Sequence, residues 1–532
     1  MRGQMMNFPL TIPSILEHAA ANTPDQEIVS VEADGSRTRL NFADLALCAA
    51  RAGRFMLDLG IAPGARVATL AWNTHRHLAL YYAVPGIGAV CHTINPRLDP
   101  KTIVHIAAEA GDVALFFDAD FLDLARALRD QVPSLRHFVL LGGADAHPVA
   151  DWPDLLHFDD AVAVAPPLSA WPAVAEDQAS GLCYTSGTTG NPKGVLYSHR
   201  STVLHALVCG LPGNLNIRET DAVVPVVPMF HVNAWGLPYL CMLAGARLVL
   251  PRNRLDGASL AALFNEEGVT LSVGVPTIWL GLAEFMRASG TTLPRLERLM
   301  VGGAALSRNL IAHFEERHGI EILQGWGMTE TSPVCTIGTL RPAEAALPQG
   351  EKAALKLRQG RPLYGVRLKI ADGTEAPGLT PGELLVHGAW IASGYYNRDG
   401  SDFQSRWLAT GDIAQIEPGN RLLLTDRAKD LIKSGGEWIS SAWLEELAMQ
   451  VDGVESAAAI AVPDATWGER PMLIVKTEVG AAVTDSAIVA HLSGSLAKWQ
   501  VPRRIVFVDA FPLGATGKIL KTELRRRHGA SA

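Results

Sequence analysis

Cysteine is scarce in this chain: six among 532 residues, at positions 48, 91, 183, 209, 241 and 335, with no Cys-x-x-Cys pair. That argues against a disulfide framework or a thiolate zinc site and leaves small buried hydrophobes in a reducing compartment. Charge is sparse too, at 19% of residues, and the net −8 is spread along the chain rather than gathered in tails. Global attraction to nucleic acid or to an anionic membrane is thereby argued against, so an anionic ligand must be met by local groups. Apolar runs such as Leu78 to Val90 are too short to span a bilayer. Met1 to Thr11 lacks the charged start and long apolar core of a signal peptide, and the expectation is a cytoplasmic protein.

What is present is a large apolar fraction, 48% of a chain well beyond the size of one ordinary domain. Two or more packed units are expected. Segments of helical period alternate with short β-branched runs. Phe42 to Leu59 reads as a helix stopped at Gly60; Arg66 to Leu70, Ala114 to Phe117, Phe138 to Leu141, Ala222 to Val227, Arg247 to Leu250 and Leu271 to Val275 read as strands. That alternation predicts α/β architecture with largely parallel sheets. A hairpin at Asp372 to Gly378 opens a β-rich stretch reaching about residue 425.

Beyond Asp426 the texture changes. Helix Ser441 to Val451, strands Glu455 to Val462 and Met472 to Glu478, helix Asp485 to Lys498 and strand Arg504 to Asp509 predict a compact α+β unit. The charged stretch Asp426 to Asp430 suits a hinge. The division is therefore a large domain over 1–428 and a small one over 429–532.

The sharpest motif is Tyr184-Thr185-Ser186-Gly187-Thr188-Thr189-Gly190-Asn191-Pro192-Lys193-Gly194. Glycines let a backbone approach closely, hydroxyls donate hydrogen bonds and lysine brings charge, which together suit a polyphosphate. A Walker loop is excluded, because Lys193 lies between Pro192 and Gly194. A Gly-x-Ser-x-Gly nucleophile is excluded too, since Tyr184 and Thr188 stand where glycines are needed.

This segment resembles the phosphate-binding signature of the adenylate-forming superfamily: acyl-CoA synthetases, luciferases and nonribosomal adenylation domains. Further segments resemble that family's signatures in order, from about residue 10 to 525. They are Pro228 to Trp235, Val301-Gly302-Gly303-Ala304-Ala305, Gln324-Gly325-Trp326-Gly327-Met328-Thr329-Glu330-Thr331, Thr410-Gly411-Asp412, Lys433 to Ser440 and Pro512 to Lys521.

The resemblance implies a fold and a set of roles. The fold is a large N-terminal domain of α/β subdomains with a β-rich subdomain, followed by a small mobile α+β domain. Lys518 would be the catalytic lysine, with Thr329 and Glu330 at the reacting phosphates. Glu330, together with Thr185, would hold Mg²⁺. ATP would lie against the 185–189 loop, Lys193, Gly303, Ala304, Ala305 and the Gln324 to Met328 strand, its ribose on Asp412 and Arg427. Lys429 would be the pivot. Lys433, Gly435, Gly436 and Trp438 would meet coenzyme A.

The acyl pocket would be lined by Val227, His231, Trp235, Gly303, Gly325 and Val334, with His231 near the reacting carboxylate. Its apolar character, Leu237 included, favours an aliphatic acid over an amino acid. The closest resemblance is to medium- and long-chain fatty acyl-CoA synthetases, including 3-methylmercaptopropionyl-CoA ligases. A luciferase-like oxygenase and a module loading a carrier protein remain open alternatives. Dimers are common among such relatives, so a homodimer belongs to the expectation. The implied activity is an ATP-dependent acid–thiol ligase acting on a fatty or fatty-like small-molecule carboxylic acid of medium to long chain, with neither nucleic acid nor an integral membrane segment as partner.

Overall fold

The computed structural model describes residues 1–532 except 2, 144, 146–148, 186–191, 372–377, 399–402, 405, 435–436, 465, 479, 515–516 and 530–532. Among the described residues the strands assemble into four sheets. The first, seven-stranded, runs Leu156–His157, His137–Leu140, Ala114–Phe117, Arg66–Leu70, Val90–Thr93, Ala179–Tyr184 and Gly194–Ser198. Its pairings are parallel except the last, where Tyr184 faces Gly194 across an antiparallel hairpin. The second, nine-stranded, has Leu271–Gly274, Arg298–Val301 and Glu321–Gly327 side by side and parallel. Ligands gather outside the carboxyl ends of such strands, and Gly303, Thr329 and Glu330 follow two of those ends directly.

Sequence patterning accounts for the elements. Phe42–Asp58 is helical as its apolar spacing predicts, and its first turn is closed by a reciprocal pair: Asn41 accepts from the Asp44 N–H while Asp44 accepts from the Asn41 N–H. Pro276 starts helix Pro276–Ser289, where a missing N–H costs nothing. Most of the expected strands fall within one or two residues of the observed ones; the one expected at Met472 to Glu478 starts four residues earlier, as Gly468–Thr477. Helix Asp485–Ser493 stops earlier than its pattern suggests, at Gly494. Of the hairpin expected at Asp372 to Gly378, residues 372–377 lie outside the described residues.

The third sheet pairs Val366–Ile370, Gly378–Gly388, Trp407–Glu417 and Phe403–Gln404, with Arg421–Arg427 on Trp407–Glu417. A fourth begins at Ile432–Ser434 and holds the antiparallel pair Val454–Asp464 and Gly468–Thr477, with Arg504–Phe507 parallel to the latter. Two apolar clusters are drawn only from residues 432–524. The largest cluster joins the seven- and nine-stranded sheets and the β-rich sheet. Among the described residues no helix is long and apolar enough to cross a membrane.

Candidate active site

The Thr185 to Lys193 motif is bounded by the antiparallel pair Tyr184 and Gly194. Its base is closed twice: Thr185 N–H donates to the Lys193 carbonyl at 2.9 Å, and Lys193 N–H donates to Thr185 Oγ1 at 3.0 Å. Ser186, Gly187, Thr188 and Thr189 lie outside the described residues. Lys193 sends its ammonium over the Tyr395 ring, 4.5 Å from the centroid. The Tyr395 hydroxyl donates to Glu330 Oε1 at 2.6 Å, and Ala392 N–H donates to the Glu330 carbonyl at 2.8 Å. Glu330 is only 5% exposed, and burial pushes its carboxyl upward against the opposing pull of the Tyr395 hydrogen bond and of Lys193. Thr329 beside it is fixed by the Tyr197 hydroxyl, which donates to its carbonyl at 2.7 Å.

Asp412 sits next to Gly411 (φ +71°) on strand Trp407–Glu417 and faces Arg427 across the ladder. Its Oδ2 accepts from Trp326 Nε1 at 2.9 Å, and its Oδ1 lies 3.3 Å from Arg427 Nε. The carboxylate is thus aimed from both sides while Arg427 stays half exposed. Trp326 therefore does more than offer a flat wall; its indole orients the acid. Gln324 departs from expectation. In the orientation that satisfies its neighbours its amide donates to the Leu357 and Lys356 carbonyls at 3.0 and 3.1 Å and accepts from Gln359. Its side chain is taken up by the fold. Gly325 is flush with Met300, whose Cε would lie 2.2 Å from a Cβ there, and at Gly327 a Cβ would meet the Pro333 carbonyl oxygen at 1.8 Å. Met328 N–H donates to Thr331 Oγ1 at 2.9 Å.

The exposed turn Gly303-Ala304-Ala305 leaves strand Arg298–Val301 with Gly303 at φ +79°. Lys518 reaches it from the small unit: its Cε is 3.4 Å from where a Cβ on Gly303 would stand. The lysine loop is braced by an isolated bridge between Leu513 and Ile519 and by Gly514 N–H donating to the Lys518 carbonyl at 2.7 Å. Thr277 Oγ1 approaches the Gly517 carbonyl at 3.5 Å, so the loop rests on the start of helix Pro276–Ser289. Burial and then the Arg427 charge lower the Lys518 ammonium to about 8, against the pull of Asp412 and Glu330. His231 feels the same lysine. Burial, with Lys518 adding to it, depresses its imidazole to about 3, so it stands neutral and offers a hydrogen bond rather than a charge.

Four consecutive residues after His231 take left-handed backbone: Val232 (φ 42°), Asn233 (54°), Ala234 (47°) and Trp235 (55°), before Gly236 at 83°. That places the Trp235 indole against Gly302, where a Cβ would come within 2.7 Å of the ring. Val227 and Val334 are buried in the same apolar cluster as Trp235. Lys429 is exposed between Asp426, which accepts from Ser441 Oγ at 2.9 Å, and Asp430, paired with Arg525 at 2.7 Å. Lys433 and Trp438 face each other across a two-strand ladder, with the Lys433 ammonium 5.5 Å from the ring. Trp438 is 56% exposed; Gly435 and Gly436 lie outside the described residues. Sequence reading missed Tyr395, whose only signal is an aromatic pair after Gly394.

Residues 16–396 match the AMP-binding enzyme family, and residues 444–518 match the AMP-binding enzyme C-terminal domain. The chain is 47% identical to 3-methylmercaptopropionyl-CoA ligase of Ruegeria lacuscaerulensis, covering 99% of this chain and 98% of that protein. It is 42% identical to a medium-chain-fatty-acid–CoA ligase of Ectopseudomonas oleovorans, covering 99% and 98%. The solved anthranilate CoA ligase AuaEII, in complex with anthranoyl-AMP, superposes with a TM-score of 0.88 at 24% identity over 100% of this chain and 99% of that one, which speaks for the fold. The chain belongs to the AMP-binding enzyme family.

Proposed function

We propose that the chain activates an aliphatic or thioether-bearing carboxylic acid with ATP, through an acyl-adenylate, and transfers the acyl group to coenzyme A. That it is an acyl-CoA synthetase follows from its family and from relatives that match it end to end. The observation that carries the mechanism is the convergence of Lys518, from the end of the chain, on Gly303, His231 and the Glu330–Asp412 side of the cleft.

The acid is already ionised near neutral pH, so no general base is required for its oxygen to attack the α-phosphorus. Bringing two anions together and stabilising departing pyrophosphate are the demands. Lys518 meets them with charge, Lys193 and the 185–189 loop cradle the phosphates, Asp412 and Arg427 hold the ribose, and neutral His231 orients the carboxylate. Glu330, with Thr185, would hold Mg²⁺. Mg²⁺ is commonly bound by one or two carboxylates plus substrate phosphates, and Glu330 would supply such a carboxylate. Such an ion supplies further charge neutralisation on the phosphates. In the second step the thiolate attacks the acyl carbon, the C–O bond to AMP breaks and the thioester forms.

The proposal includes a division at 428/429, with Lys429 as pivot, and a turn of the small domain that withdraws Lys518 and presents Lys433, Gly435, Gly436 and Trp438 to coenzyme A. The separate apolar clusters of residues 432–524 support that reading. A cytoplasmic location is part of it. We put 3-methylmercaptopropionate first among acids, since that is the acid named for the 47% relative, and medium-chain fatty acids second, on the 42% relative.

The test is pyrophosphate release and thioester formation with ATP, coenzyme A and acids from 3-methylmercaptopropionate to octanoate and palmitate. Acid-dependent release coupled to thioester is the expected result. Release without transfer to coenzyme A would point to another acceptor, and no release with any acid would overturn the proposal.

A further inference from the structure

His205 lies in helix His199–Gly210, 1% exposed, at a point where three elements meet. Its Nε2 accepts the Val334 N–H at 3.1 Å. The Cys209 thiol, one turn on, lies 3.4 Å from the same nitrogen, and burial pushes that thiol upward, so it keeps its proton to donate. Two donors on Nε2 place the ring proton on Nδ1. The other face of the ring meets Gly236, the last residue of the left-handed turn: a Cβ there would lie 2.8 Å from Nδ1. The Val334 carbonyl is held as well. It accepts from Trp390 Nε1 at 3.1 Å, and the Trp390 ring stands edge-on to His205 with centroids 5.8 Å apart. Trp390 is in turn fixed by Ser332 Oγ, which donates to its carbonyl at 2.7 Å.

One buried imidazole therefore binds the backbone of Val334 and abuts the turn that carries Trp235. We propose that His205, with Trp390, is a positioning residue that sets the spacing between the Trp235 turn and Val334, and thereby the enzyme's selection among acids. This rests on the reading that Trp235 and Val334 border the acyl chain. A buried N–H that loses its acceptor is costly enough to move the strand rather than stay in place. The wall then shifts, and a short acid, which needs both sides of the pocket, suffers more than a longer one that fills the slack.

Variants His205→Leu, His205→Gln and Trp390→Phe test this with 3-methylmercaptopropionate and octanoate. The quantities read are kcat/KM for each acid, KM for ATP and the melting temperature. His205→Leu is expected to lower kcat/KM for the short acid about ten-fold more than for octanoate, with KM for ATP unchanged. His205→Gln, which keeps an acceptor, is expected to restore most of the ratio. Trp390→Phe frees the carbonyl of the same residue, Val334, and is expected to shift the ratio the same way, which keeps the test decisive if His205→Leu fails to fold. A ratio unmoved in the folded variants, with wild type active, would overturn the inference alone. Wild-type protein inactive with every acid would overturn the acid-ligase reading beneath it.

Discussion

On the proposed mechanism Lys518 is the residue on which the chemistry turns, and its environment sets a pH signature. With the ammonium lowered to about 8 from an ordinary 10.5, the adenylation rate is expected to fall as pH rises through that region, as one deprotonation. The same shift has a stability sign. Between about 8 and 10.5 the unfolded chain binds more protons, so stability rises with pH there, and at neutral pH the buried charge costs the fold free energy. Lys518→Met is therefore expected to abolish adenylation yet raise the melting temperature at pH 7; a lower melting temperature would contradict the environment described. Tyr395→Phe removes the donor on Glu330 Oε1 while keeping the ring under Lys193. Leaving a buried carboxylate short of a donor costs about 1–3 kcal/mol, and kcat/KM for ATP is expected to drop roughly ten-fold with KM for the acid unchanged.

At the scale of elements, the left-handed turn from Val232 to Trp235 stands apart. Such backbone costs an L-residue about 1–2 kcal/mol per position, relieved only where Cβ is absent. Ala234→Gly is thus expected to leave the melting temperature unchanged or raise it, although glycine at an ordinary position lowers stability. A fall of several degrees would contradict the strain. Gly302→Ala would drive a methyl into the Trp235 ring, and acid-dependent activity is expected to collapse while ATP binding, followed by calorimetry, survives.

These elements also mark what the sequence could and could not convey. Strand positions and the motif order were legible because apolar period and chemistry-bearing residues recur at fixed local spacing. The left-handed run was not, because Val-Asn-Ala-Trp contains no glycine to announce it. Nor were the Tyr395–Glu330 and His205–Val334 contacts, which join residues 65 and 129 positions apart. Gln324 misled for a related reason: strand alternation alone does not say that its amide meets the carbonyls of Lys356 and Leu357.

Across the whole molecule, the small C-terminal unit reaches the large one through the loop around Gly517, seated on Thr277. On the proposed rotation, that contact would belong only to the orientation that delivers Lys518. Thr277→Cys with Gly517→Cys would tie it; the six native cysteines form no disulfide, leaving the new pair to oxidise selectively. The oxidised variant is expected to make acyl-adenylate at near its reduced rate and to lose thioester formation, with reductant restoring it. Equal thioester rates in both forms would argue against a rotation between steps.

The central claim is that Lys518 serves the first half-reaction and leaves before the second. The direct measurement compares wild type and Lys518→Ala in two assays: pyrophosphate release from ATP and acid, and thioester formation from supplied acyl-adenylate and coenzyme A. A loss of several hundred-fold or more in the first, with the second within a few-fold of wild type, is the expected result. Equal loss in both, or none in the first, would contradict it.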